Sequence, residues 1–75
     1  MTVTVHYYGL LAERRGLTEE RLTTAATTPA ALYAELELGV STSGLRAAVN
    51  DEFVSWDHPL TDGDQVALLP PMSGG

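Results

Sequence analysis

Seventy-five residues hold one domain, and a chain this short buries only about 60% of the surface that its unfolded form exposes. A hydrophobic fraction of 44% belongs to a globular chain, and the lack of cysteine removes disulfides, thiolate metal sites and a cysteine nucleophile together. Ten Asp and Glu against four Arg leave a formal charge of −6, which repels phosphate backbones and excludes nucleic acid from the expected partners.

Thr2 to Tyr8 alternates with period two and is rich in β-branched and aromatic residues, predicting a strand with Val3, Val5 and Tyr7 on its inner face. Gly9 breaks the run. Leu10 to Arg15 suits a short helix with basic residues near its end and Gly16 as its stop. Glu20 to Thr24 reads as a second, weaker strand, and so brief a crossover favours antiparallel pairing with the first. Thr28-Pro29 is a helix start, a Thr cap followed by Pro where its missing N–H costs nothing. Leu32, Tyr33 and Leu36 recur at helical spacing, and Gly39 is the expected end of that helix. Leu45 to Val49 is a third strand, Asn50-Asp51-Glu52 a turn and Phe53-Val54 a short return strand. After a stretch of turn chemistry, Gln65 to Leu69 is the last strand, and its near-continuous apolar run places it centrally under the helix. Four or five short strands and one good helix make an α+β layer pair.

The stretch from Pro70 to Gly75 carries the functional signal. Two prolines fix φ and lack N–H donors, so Pro70-Pro71 predicts a stiff, extended arm leaving the sheet. Six such residues reach about 20 Å. A pre-extended arm loses less entropy on threading into a pocket, and Gly74-Gly75 fits a slot too narrow for any side chain. The carboxylate at Gly75 is ionised at neutral pH and is a poor electrophile until activated, most simply as an acyl-adenylate. That step needs ATP and groups that steady phosphate charge. The chain has no phosphate-cradling loop and no acidic metal cluster, so it is expected to bind no cofactor itself. ATP would be used by a separate activating partner. An activated acyl group can accept sulfur to become a thiocarboxylate, and without cysteine that sulfur must come from elsewhere.

Three segments together, Ala48 to Val54, His58 to Ala67 and Leu69 to Gly75, resemble the small subunits of molybdopterin synthase. These form the MoaD/ThiS family of ubiquitin-like β-grasp sulfur carriers. The Pro59-Leu60-Thr61-Asp62-Gly63-Asp64 turn and the Pro70-Pro71-Met72-Ser73-Gly74-Gly75 end are the specific motifs. The resemblance implies a mixed sheet with the first and last strands parallel at its centre. It implies a β-grasp domain over residues 1–69 with a tail over 70–75. It further implies that Gly75 is adenylated by an E1-like enzyme and then thiocarboxylated, with Gly74 beside it. The tail would enter a large synthase subunit that holds the pterin precursor and the catalytic side chains, with Leu69, Pro70, Pro71, Met72 and Ser73 at the partner interface. Against the family, the link from Val40 to Gly44 is short. Delivery to thiamin thiazole synthesis and ubiquitin-like conjugation to a target amine are the alternatives. The Pro-Pro-x-Ser-Gly-Gly end favours the molybdopterin branch over the thiamin branch, whereas the tail alone does not separate carrier from modifier.

The remaining candidates carry less. His6 and His58 have no cysteine or carboxylate cluster at metal spacing, and Asp62-Gly63-Asp64 reads as a turn without the further ligands of a calcium loop. Trp56 reads as a core or rim anchor, and Asp51 and Glu52 as neighbours that point apart. Apolar runs are only a handful of residues long and the first twenty residues carry charge. Neither a membrane span nor a secretory leader is expected, and the cytoplasm is the expected location. The charge suits a basic docking partner and equally suits plain solubility. Lysine is absent, which fits a preference for Arg and makes the chain a poor acceptor for amide-forming chemistry.

Overall fold

A computed structural model describes residues 1–71. Along the chain lie β1 (Thr2–Tyr7), α1 (Leu10–Arg15), β2 (Glu19–Thr23), α2 (Pro29–Leu36), β3 (Arg46–Val49), β4 (Glu52–Val54) and β5 (Gln65–Leu69). The strands form one five-stranded sheet in the order β2-β1-β5-β3-β4. β1 and β5 run parallel, and the other neighbours are antiparallel. This mixed sheet with its helices is the β-grasp arrangement.

Register turns the period-two pattern into a core. Val5 pairs with Val66 and Tyr7 with Leu68, while Val49 and Ala47 meet the same two β5 residues from the other side. Val3, Val5, Tyr7, Val66 and Leu68 therefore share one face, where they are buried with Leu32, Tyr33 and Leu36 of α2 and Leu11 of α1. Leu68 is fully buried on the central strand, so Leu68→Ala would cost about 2–5 kcal/mol. Trp56 is partly buried at the rim of this core, edge-on to Tyr33 at 5.9 Å between ring centroids.

Local chemistry fixes the element ends. Gly16, in the left-handed region, donates its N–H to the Ala12 carbonyl at 2.8 Å and closes α1. Thr28 Oγ1 accepts from the Ala31 amide at 3.1 Å and Pro29 opens α2. α2 ends at Leu36, with Glu37 left-handed at φ 48°, and not at Gly39 as the sequence suggests. The reason is packing: Leu36 and Leu38 are both buried, and residues two apart on a helix cannot face the same side. Asn50 and Asp51 both have positive φ (50° and 70°), which makes a two-residue hairpin turn and lets Glu52 join β4 opposite Val49.

Tyr7 Oη donates to Glu20 Oε2 at 2.7 Å, and Arg15 Nε donates to the same oxygen at 2.5 Å. The Arg15 hydrogen bond, aided by Tyr7, holds the Glu20 carboxyl below its usual range although partial burial opposes this. Burial, with the Glu20 carboxylate beside it, pushes the Tyr7 phenol well above its ordinary value. These bonds tie the end of α1 to β2. Among the described residues no helix is long and apolar enough to cross a membrane.

Candidate functional site

The parallel pairing of β1 with β5 brings their C-terminal ends to the same edge of the sheet, and the antiparallel β3 begins there, Arg46 opposite Leu69. Leu69 and Pro70 are partly buried and Pro71 is exposed. Of the other residues expected at the interface, Met72 and Ser73 lie outside the described residues, as do Gly74 and Gly75. What can be placed is therefore the root of the tail.

Two glycines flank that root. A Cβ on Gly9, at φ +53°, would stand 3.1 Å from Pro70 Cγ. A Cβ on Gly44, at φ +80°, would stand 3.3 Å from Pro71 Cβ. The left-handed backbone and the close proline rings each favour glycine at these positions. The sequence marks Gly9 and Gly44 only as punctuation, because their contact with the prolines arises from strand pairing between distant segments. The short Val40–Gly44 link thus reaches the tail root.

The sheet face away from the helices continues the site. Counting across the register, one row holds His6, Ala67, Ala48 and Phe53, and Leu69 and Arg46 pair in the row nearer the exit. Small Ala67 and Ala48 lie between larger neighbours, of which Phe53 is 66% and Tyr8 48% exposed. Tyr8, Gly9, Gly44, Arg46, Phe53, Leu69, Pro70 and Pro71 line a groove of about 800 Å³. A smaller hollow of about 290 Å³ shares Tyr8 and runs over Ala48 and Ala67 towards His6, Gln65 and Asp51. Arg46 lies over the Phe53 ring, 5.3 Å from guanidinium carbon to centroid. Tyr8, Arg46 and Phe53 are functional candidates that sequence reading missed; two exposed aromatics outside the core pattern were the available signal.

The opposite end of β5 is polar. Asp64, 8% exposed, accepts from the Thr61 amide at 2.8 Å, Thr61 Oγ1 at 3.1 Å and Asn50 Nδ2 at 3.0 Å. The Thr61 amide is the main reason its carboxyl sits below the usual range. Asp62 Oδ1 accepts from the Thr2 amide at 2.7 Å, so Asp62-Gly63-Asp64 braces the fold. His6 Nε2 lies 2.8 Å from Gln65 Oε1, and the His58 amide donates to the Ser55 carbonyl within a turn. Asp51 and Glu52 are both exposed in their hairpin. Among the described residues no three His, Asp or Glu side chains gather where a metal could sit.

The ThiS family model matches residues 5–75. The molybdopterin synthase sulfur carrier subunit of Escherichia coli (strain K12) is 58% identical over 38 residues. That stretch covers 51% of this chain and 47% of that protein, so the match spans about half the length of the relative. A chain in the protein–protein complex of subunits 1 and 2 of molybdopterin-converting factor from Helicobacter pylori 26695 matches at 30% identity and TM-score 0.68, with 100% of both chains covered. Small archaeal modifier protein 1 of H. volcanii matches at 19% identity and TM-score 0.78, covering 95% of this chain and 98% of its own, a likeness of fold alone.

Proposed function

The chain belongs to the ThiS family, and on that premise we propose that it is the sulfur-carrying small subunit of a molybdopterin synthase. The observation that carries this reading is the conjunction of the family match through Gly75 with a docking groove at the root of the Gly74-Gly75 tail. The identity to the E. coli sulfur carrier subunit favours the molybdopterin branch over thiazole synthesis.

In this reading an E1-like partner binds ATP and directs the Gly75 carboxylate onto its α-phosphorus. Pyrophosphate leaves and an acyl-adenylate forms. Sulfur at the oxidation level of sulfide then displaces AMP and leaves a thiocarboxylate. The tail next enters the large subunit, which supplies the catalytic side chains. There the thiocarboxylate sulfur forms a C–S bond to a carbon of the pterin precursor as a C–O bond of that carbon breaks and its oxygen leaves, and water then cleaves the acyl–sulfur bond to regenerate the Gly75 carboxylate. Two such deliveries build the dithiolene that later holds molybdenum or tungsten. This chain contributes position: Leu69 and its apolar neighbours dock, Pro70 and Pro71 set the direction of the tail, and Gly74 leaves the slot unobstructed. ATP use by the activating partner fits a cytoplasmic site of action.

Deleting Gly75 tests the role. In a synthase reconstituted from the carrier, its activating partner with ATP and a sulfide source, the large subunit and the pterin precursor, the deletion should abolish sulfur transfer while the melting temperature stays the same. Retained transfer would refute the carrier reading. Covalent adducts to target proteins, found in place of sulfur transfer, would favour a protein modifier.

A further inference from the structure

Among the described residues, Arg46 is the one charged side chain lining the groove at the tail root. It lies over Phe53, which is 66% exposed, and among the described residues it pairs with no carboxylate. Stacking occupies the face of a guanidinium and leaves its five N–H donors for other partners. A partner that covers Phe53 also takes water from the cation stacked on it. A desolvated guanidinium with no counter-charge is strongly unfavourable, so the covering surface has to supply one. The chain as a whole carries −6, and attraction to a basic partner would therefore set no requirement at this spot. Arg46 sets a local requirement of the opposite sign.

Resting on the carrier reading above, we infer that the large-subunit surface seated on this groove is apolar and presents a carboxylate to Arg46. An apolar side chain of the partner fills the dip over Ala48 and Ala67, and the carboxylate takes the guanidinium fork beside Phe53. The pair fixes the register of docking, and with it the direction in which the tail root meets the partner.

Calorimetric titration of the full chain with the large subunit from the same organism tests this. Arg46→Met keeps an unbranched apolar side chain and should weaken binding about tenfold, and Arg46→Glu, which sets like charges together, by roughly 100-fold. Arg46→Lys should fall between wild type and Met, because it lacks the fork. The gap between wild type and Arg46→Met should narrow as sodium chloride rises from about 50 to about 500 mM. Unchanged melting temperatures of the free variants would tie these losses to the interface. Equal or tighter binding by Arg46→Met would overturn the inference and leave the carrier reading standing. If the wild-type chain does not bind the large subunit at all, the carrier reading fails and this inference fails with it.

Discussion

The two ends of β5 are held by different chemistry. At its start, Asp64 and Asn50 place directional hydrogen bonds on Thr61 and on the Gln65 amide, and the Thr4 amide donates to the Asp64 carbonyl at 3.0 Å. At its finish, Pro70 and Pro71 offer no N–H, and the contacts with Gly9 and Gly44 are contacts of shape. Hydrogen bonds lock the first end in one geometry. Among the described residues, the close fit to Gly9 and Gly44 positions Pro70 and Pro71 at the second end. Under the proposed carrier role one strand would join a fixed anchor to a delivery point, and substitutions at the two ends should separate stability from function.

The largest effect is expected beyond the delivery end. Gly74→Trp should lower loading or transfer by about 100-fold by displacing the reacting carboxyl, with an unchanged melting temperature. Loading kinetics equal to wild type would remove the slot from the account. At the anchor, Asp64→Ala leaves the Thr61 and Asn50 donors without their acceptor. It should cost about 2 kcal/mol, a fall of roughly 10 °C in melting temperature, with binding of the large subunit retained below the transition. Loss of binding without loss of stability would reverse the assignment of the two ends.

Gly44→Ala should cost about 1 kcal/mol of stability, from its positive φ, and should also slow loading through the clash with Pro71. Pro71→Gly in the same chain, which removes both the Cβ and the Cγ that a Gly44 Cβ would meet, should recover part of the loading rate and little of the stability. Equal recovery of both would mean that Gly44 matters only to folding. The smallest effect concerns pH. Asp64 and Glu20 are held below the usual carboxylate range, so the stability they add is present above their unfolded-state values and is lost as pH falls through the folded-state ones. Acid melting curves of Glu20→Gln should be flatter than wild type in that window. A curve of the same steepness would remove Glu20 from the acid response.

Much of this was legible in the chain. Period-two runs located the inner-face residues Val3, Val5 and Tyr7, and the Thr28-Pro29 start of α2 was written in capping chemistry. The end of α2 was misplaced because Gly39 looked like a stop, whereas the burial of both Leu36 and Leu38 ends the helix sooner. Strand ends shifted by a residue at Tyr7, Glu19, Thr23, Arg46 and Glu52, since pairing partners set those boundaries and local propensity does not. The parallel pairing of β1 with β5 came from family resemblance, as no periodicity encodes which strands become neighbours. The cradle of Gly9 and Gly44 and the stack of Arg46 on Phe53 depend on that pairing, so no local pattern announced them. Gly74 and Gly75 were legible only as a motif.

The central claim is that the carboxyl of Gly75 carries sulfur. Intact-mass spectrometry of the chain isolated from cells making the cofactor tests it most directly. Replacement of one oxygen by sulfur at Gly75, absent when the activating partner is removed, is the predicted result. An unaltered carboxyl in every growth condition, in cells that still complete the cofactor, would contradict it.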